Sequence, residues 1–328
     1  MFADHARTTA YLAAIERAVH PGNVVVEIGT GVGFFAVAAC RAGARRVYAI
    51  EMNPAVELAE RVAADNGCAD RITFIQNDSR RVSLPELGDV LVSDLRGILP
   101  PYESHFETLV DARRRLVRSN ATIVPLRDTM YAAPCVAPAP WHRDHLAGGD
   151  APHGINRRAV TERVRSDWTR CRLDAGDLLA DGAQWAALDY ATIDSRAVSG
   201  QASWTIARDG IADGVAVWFD ADLGFDVFLS NSPAAPRALY GQAFFPFANA
   251  LAVAAGDAIS LEIRAHLVGD DYLWSWDTTF TPAAHQLAPV VFRQSNLAAR
   301  VISLGRLRQP GSRDDKDQDA FPTIPSTG

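Results

Sequence analysis

The sequence predicts an α/β chain in two parts, a parallel-sheet domain over residues 1–124 and an antiparallel β-barrel over 125–307. Three observations carry this expectation. Short apolar runs alternate with helical patterns up to about residue 122, as in linked βαβ units. Beyond that point β-rich segments follow one another with only turn residues between them, the pattern of an antiparallel sandwich or barrel. A single charged, helix-patterned stretch, INRRAVTERVRSDWTRCRL (155–173), interrupts the second half and predicts an inserted helical arm over about 153–175.

The elements of the first half follow in order. VVVEIG (24–29) is a continuous β-branched run, which suits a strand buried on both faces. FFAVAACRAGA then reads as a helix ending near Gly43. VYAIE (47–51) is a second strand, and PAVELAERVAADNG (54–67) a helix closed by Asn66-Gly67. ITFIQND (72–78) and DVLVSD (89–94) are the third and fourth strands, and HFETLVDARRRLV (105–117) is another helix. In the second half ATIVPLRDTMYAAPCVAP, WAALDYATI, VSGQASWTIA, GVAVWFDADLG, ISLEIRAHLVG and YLWSWDTTF are the strand segments. Trp274 and Trp276, alternating with Tyr272 and Leu273, are read as barrel packing. Residues 308–328, polar and rich in Pro and Gly, are expected to be a disordered tail.

Composition narrows the function classes. The 328 residues are 48% hydrophobic and 22% charged, with a net charge of −7. That balance supports a folded core and argues against a nucleic-acid or anionic-membrane binder, which needs a basic face. No run approaches the roughly 18 apolar residues of a membrane span, and the charged N-terminus lacks the apolar block of a signal peptide. The four cysteines (Cys40, Cys68, Cys135, Cys171) show no paired or ligand spacing, so free thiols and a cytoplasmic location are expected. His142, His145 and His153 have only Asp144 and Asp150 nearby, and no metal site is expected there.

The chemistry-bearing signal is EIGTGVGFF (27–35), where Gly29, Gly31 and Gly33 sit between a buried strand and a helix. Glycines there let the chain turn tightly and let a ligand approach the helix N-terminus. A nicotinamide-binding domain also places glycines at such a turn. Its fingerprint, however, is spaced one-then-two, whereas this loop is one-then-one and is followed by Phe34 and Phe35. Glu51, at the tip of the second strand, is placed to accept hydrogen bonds from a ribose diol. Asn77-Asp78-Ser79 ends the third strand, where an adenine edge would lie, and Asp94 ends the fourth. All stand at the carboxyl ends of parallel strands, where such Rossmann-like sheets bind ligands.

With these residues the chain resembles the class I methyltransferases and, within them, the protein arginine methyltransferases. In that family a D-x-x-R-T segment precedes the first strand by a helix, and Asp4-His5-Ala6-Arg7-Thr8 stands there. The resemblance implies S-adenosyl-L-methionine as cofactor. Arg7 would clamp its carboxylate, and Glu27, Gly29, Gly31, Gly33, Glu51, Asp78 and Ser79 would complete the site. The family's acidic hairpin, with two glutamates and a Tyr-Glu-Ser ending, reads SDLRGILPPYESHFE (93–107) here. Glu103 falls on the second glutamate and Asp94 on the first, and both are implied to be catalytic. A guanidinium has a delocalised charge and a pKa above about 12, and two carboxylates can grip and aim it. Asp94 is one methylene shorter than glutamate, about 1.5 Å of reach. Arg96 brings a positive charge where the family usually has an uncharged residue.

The family's Thr-His-Trp loop corresponds to SNSPAAPRALYGQAFFPF (230–247), with Ala238-Leu239-Tyr240 in place of the three loop residues. Arg96, Tyr102 and Tyr240 are the expected substrate-binding residues. The arm at 153–175 resembles the family's dimerisation arm, or is a solvated surface helix. The expected function is transfer of a methyl group to an arginine or related nitrogen of a protein or peptide, by a homodimer. Two alternatives stay open. One is a methyltransferase acting on a small molecule or a non-arginine acceptor, with Arg96 pairing an acidic substrate. The other is a cofactor-binding regulator without catalysis.

Overall fold

The β-branched run VVVEI is the centre of the first sheet. In the computed structural model, which describes residues 4–145, 152–237, 239–284 and 288–297, five strands and four helices build that half. They run α1 (His5–Ala18), β1 (Val24–Ile28), α2 (Phe34–Arg41), β2 (Arg46–Glu51), α3 (Val56–Asp65), β3 (Ile72–Gln76), β4 (Gly88–Ser93), α4 (His105–Arg115) and β5 (Val117–Val124). All neighbouring strands are parallel, in the order β3-β2-β1-β4-β5. Every residue of β1 is buried, as a strand covered on both faces requires. The order reverses between β1 and β4, so the carboxyl ends of those strands open a crevice at the switch point. The segment ATIVPLRDTMYAAPCVAP, read from sequence as one barrel piece, is divided at Pro125: its first residues end β5 in the parallel sheet.

The second half follows as β6 (Arg127–Cys135), α5 (Ala139–His145), α6 (Arg158–Val164), β7 (Thr169–Cys171), β8 (Ala183–Asp189), β9 (Val198–Thr205), β10 (Gly210–Asp222), β11 (Phe228–Ser230), β12 (Gln242–Val253), β13 (Ala258–Val268), β14 (Asp271–Thr281) and β15 (Val290–Ser295). The expected single barrel is instead two antiparallel sheets. One has the order β7-β12-β10-β6-β8 with β11 on β10, and the other is β15-β14-β13-β9. No ladder joins them among the described residues. At the corner between them β9 crosses β8 so closely that a Cβ on Gly200 would lie 1.7 Å from the Trp185 carbonyl oxygen. Trp274 and Trp276 alternate inward on β14 and pack against Phe245, with ring centroids 5.3 Å away in each case. The two halves share one core: Phe106 of α4 meets Tyr272 of β14 edge to face at 6.2 Å.

The arm is less helical than its sequence suggests. Its helix is only α6, and none of that helix's residues is buried. The chain then turns down onto the sheet because its apolar residues find partners there. Trp168 stacks on Phe245 at 6.0 Å, Leu173 is buried, and Arg165 donates to the Phe247 carbonyl at 2.7 Å. Residues 169–171 thereby join the sheet edge as β7 rather than extending the helix. The expected tail at 308–328 lies outside the described residues.

Trp274, 1% exposed, anchors this core. Trp274→Ala should destabilise the protein by about 3–5 kcal/mol through lost burial and the cavity left behind, read as a lower chemical-denaturation midpoint. A loss under about 1 kcal/mol would mean that the aromatic core is not packed as described.

Candidate functional site

The glycine loop leaves β1 and enters α2 with Gly29, Gly31 and Gly33 all at positive φ. Two of these glycines have distinct spatial reasons. A Cβ on Gly29 would lie 2.5 Å from a methyl of Leu95, so the hairpin that follows β4 sits directly on the loop. A Cβ on Gly31 (φ 54°) would meet nothing within 4 Å, leaving a cradle above the loop. Glu51, ending β2, fixes this loop: one carboxylate oxygen accepts the Gly31 amide at 2.8 Å and the other the Asn53 amide at 2.9 Å. Each oxygen keeps a lone pair for a further donor. Beneath them Glu27 is buried and accepts from the Thr30 hydroxyl at 2.6 Å. Burial pushes its carboxyl up to about 7, only partly offset by that hydrogen bond.

At the end of β3 the Asp78 carboxylate is already engaged. It caps a short turn at 79–81 by accepting the Arg80 amide, and it pairs with the Arg80 guanidinium at 2.9 Å. Ser79 is buried, and its carbonyl accepts from Arg115 at 3.0 Å. The Asp78 side chain and the Ser79 carbonyl are thus both spent within the protein.

The hairpin after β4 brings the charges together. Asp94 is buried, with its side chain 4% exposed between two guanidiniums. It pairs with Nε of Arg7 from α1, and with Nε and Nη2 of Arg96 at 3.2 and 3.0 Å. It also accepts the Tyr240 hydroxyl at 2.7–2.8 Å. Burial alone would raise its pKa, but Arg96, Arg7 and Tyr240 outweigh burial and hold it below the usual carboxylate value. Arg96, expected to touch substrate, is instead fully enclosed. Its Nη1 donates to Asp128 of β6 at 2.7 Å and its Nη2 to the Tyr11 hydroxyl, while Tyr190 closes the far side of Asp128 at 2.5 Å. With no exposed side-chain surface, Arg96 offers a ligand nothing to touch, and its reach into the site ends at Asp94. The Tyr11 ring lies between the two guanidiniums, 5.6 Å from that of Arg7 and 5.8 Å from that of Arg96.

Glu103 is different. It stands exposed in a left-handed turn (φ 41°) just before α4, beside the half-exposed Tyr102. Tyr102 folds back over Gly97, where a Cβ would collide with its ring at 2.4 Å, which keeps the hairpin tight. His105 anchors the base through Nδ1, 2.9 Å from the Pro100 carbonyl. Its burial lowers its pKa to about 4, so it stays neutral.

The loop before β12 completes the site with residues that no motif marks. Asn231 is buried and pins both ends of this loop, accepting the Phe219 amide at 2.8 Å and donating to the Gly241 carbonyl at 2.6 Å. It also reaches the hairpin at the Ile98 carbonyl, 3.3 Å away. Asp4 caps α1 and accepts the Leu239 amide at 2.6 Å, tying the loop to the helix that carries Arg7. Ala238 lies outside the described residues. Sequence reasoning missed Tyr11, Asp128, Tyr190 and Asn231, which come from elements far apart in the chain. The one available signal was Arg96 itself, a positive charge two residues from Asp94 whose remaining donors had to find partners.

Comparisons with known proteins fall on the same regions. A family model described as ribosomal protein L11 methyltransferase matches residues 3–100, and one described as the arginine methyltransferase oligomerization subdomain matches 127–284. An arginine N(omega)-methyltransferase of Streptomyces achromogenes subsp. streptozoticus is 30% identical over 279 residues, covering 80% of this chain and 74% of the relative. The protein arginine N-methyltransferase PRMT10 of Oryza sativa subsp. japonica is 31% identical over 182 residues, covering 51% of this chain and 48% of its own. Among solved structures, the Trypanosoma brucei PRMT1 enzyme-prozyme complex with AdoHcy superposes with a TM-score of 0.83 at 21% identity, covering 90% of this chain and 96% of that one. Arabidopsis thaliana protein arginine methyltransferase 10 gives 0.77 at 20% identity, covering 90% and 95%.

Glu27 generates a pH test. Its folded pKa, about 7, lies above the ordinary 4.5, so the folded state binds the proton more tightly. Its contribution is therefore fully present below pH 4.5 and is lost as pH rises through 7, on the order of 3 kcal/mol. Glu27→Gln should raise the melting temperature at pH 8 relative to the parent and change it little at pH 4.5. Equal shifts at both pH values would remove Glu27 as the titrating group.

Proposed function

We propose, for a chain that belongs to the arginine N-methyltransferase family, that its crevice methylates a guanidinium nitrogen with S-adenosylmethionine as donor. The observation that carries this reading is the acidic hairpin lying across the glycine loop, Leu95 on Gly29. It sets Asp94 beside the strand end that carries Glu51 and against Arg7 of α1, and it ends in Glu103 just before α4. The residues present fit the cofactor. The space above Gly31 admits it, Glu51 has lone pairs left for ribose hydroxyls, and none of the described residues accepts from the two Nη groups of Arg7. Arg7 would hold the donor's carboxylate and Glu51 its ribose, with Asp78 and Ser79 shaping the adenine end. When bound, S-adenosylmethionine supplies a sulfonium methyl open to direct displacement by nitrogen. The protein's own work is orientation and charge placement. Glu103 holds the acceptor guanidinium with one nitrogen toward the methyl, its negative charge offsets the acceptor's positive one, and the proton that this nitrogen loses on methylation leaves to solvent at the exposed Glu103. Tyr102 and Tyr240 line the approach.

The acceptor reading is an arginine of a protein or peptide. The Streptomyces relative, aligned over most of this chain, is named for arginine without the word protein, which favours arginine as a small molecule as a second reading. The idea that Arg96 draws in an acidic substrate loses its support, because its donors are spent internally. A homodimer is also proposed, through the arm. Ile155 and Val160 are 70% and 62% exposed, α6 buries none of its own residues, and the matched family model is an oligomerization subdomain. An isologous contact would hide these residues.

Two measurements test this. With labelled S-adenosylmethionine, methyl transfer to arginine peptides or to free arginine should be detected, and Glu103→Gln should cut the rate by two or more orders of magnitude, about 3 kcal/mol or more, without loosening the cofactor. Cofactor binding with no transfer to any arginine compound would favour the regulator instead. Sedimentation should give about twice the 35.5 kDa chain mass, and a monomer at micromolar concentration would reject the arm as a dimer contact.

A further inference from the structure

We propose that Asp94 serves the cofactor side of the site rather than the acceptor, that Arg96 is the positioning residue that keeps it there, and that Glu103 alone grips the acceptor guanidinium. This rests on the methyltransferase reading above and divides between the two acidic residues a task expected of both.

Asp94 has little left to offer a third cation. A carboxylate carries about four lone-pair sites. One oxygen accepts Nε and Nη2 of Arg96 at 3.2 and 3.0 Å and lies 2.8 Å from the Tyr240 hydroxyl. The other takes Nε of Arg7 and lies 2.7 Å from the same hydroxyl. Charge gives the same answer. The cluster holds two guanidiniums, Arg7 and Arg96, against two carboxylates, Asp94 and Asp128, so its negative charges are already balanced. An acceptor guanidinium brought to Asp94 would meet one spent carboxylate and two like charges. Glu103, in contrast, is exposed on its left-handed turn.

What Asp94 does instead is aim Arg7. It holds Nε, and the guanidinium lies beside the stacked Tyr11 and Phe35 rings, 5.6 and 5.1 Å from their centroids, with no described residue accepting from its two Nη groups, which leaves them for a carboxylate. Arg96 fixes Asp94 in that task. Its own guanidinium cannot drift, because Asp128 and the Tyr11 hydroxyl hold it and Phe219 covers it at 5.0 Å. Asp128 in turn is held by Tyr190. The groups facing Asp94 are thus Arg7 and Tyr11 from α1, Arg96 beside it, and Tyr240 from the loop before β12. Asp128 and the neutral His105 stand one step behind. Its two guanidiniums, with the Tyr240 hydroxyl, hold the Asp94 carboxyl below its ordinary value against the effect of burial.

The test compares substitutions by calorimetry with S-adenosylhomocysteine and by acceptor kinetics. Asp94→Asn should weaken S-adenosylhomocysteine at least tenfold and change the acceptor KM less than threefold. Glu103→Gln should do the reverse, leaving S-adenosylhomocysteine within twofold and lowering acceptor kcat/KM at least a hundredfold. Arg96→Met alone strands Asp128, so the paired variant Arg96→Met with Asp128→Asn is used beside it. In that background the acid limb of S-adenosylhomocysteine binding should move up by about one pH unit or more, and Arg96→Lys should move it less. A merely structural role for Arg96 would lower the melting temperature and leave that limb in place. Asp94→Asn and Glu103→Gln both acting on the acceptor alone, or an unmoved acid limb, would overturn the proposal. Failure to methylate any arginine compound would count against the function proposed above, while the effect of Asp94→Asn on S-adenosylhomocysteine would still decide this one.

Discussion

The rest of the site depends on a buried carboxylate held between two guanidiniums. Asp94 at the end of β4 pairs with Arg7 from α1 and with Arg96 two residues on, and Arg96 reaches across to Asp128 at the start of the second half. Burying charge is costly unless every partner is in place. Removing one member of such a buried set typically costs about 3–5 kcal/mol, whereas replacing the whole set with apolar groups is often neutral. The set is therefore better understood as a specificity device than as a source of stability. It admits one relative placement of α1, the acidic hairpin and β6. The loop before β12 joins them through Tyr240 and, by its backbone, through Asp4.

This constraint explains why the site tolerates changes from the family pattern it resembles. A shorter acid at Asp94 and a positive residue at Arg96 look like two losses when taken one at a time. Together they form an ion pair, which Arg96 extends to Asp128 and Tyr190 closes off. The missing loop histidine is likewise met from elsewhere. Asp4 accepts the Leu239 amide and Asn231 ties the loop to both Phe219 and the hairpin.

Much of this was legible in the sequence, and the legible part has a common physical cause. β1, β2, β3, β4 and the helices between them carry strong local patterns, and the glycine loop, Glu51 and Asp94 stand at strand ends, where position follows from the pattern. What was not legible is what depends on distant partners. The arm shows a helical rhythm, but Trp168 and Leu173 find burial on the sheet and draw residues 169–171 into a strand. Two sheets in place of one ring follow from the close crossing at Gly200, which no periodicity announces. Arg96 reads from sequence as a positive charge beside the site, placed to bind substrate. Only the fold brings Asp128, Tyr11 and Tyr190 around it.

The account is tested most directly by a crystal structure of the protein with S-adenosylhomocysteine and an arginine-containing acceptor bound together. It predicts the cofactor carboxylate on the Nη groups of Arg7, the Arg7–Asp94–Arg96–Asp128 chain unbroken, and the acceptor guanidinium on Glu103. A complex in which Asp94 has released Arg96 and turned to hold the acceptor would contradict it.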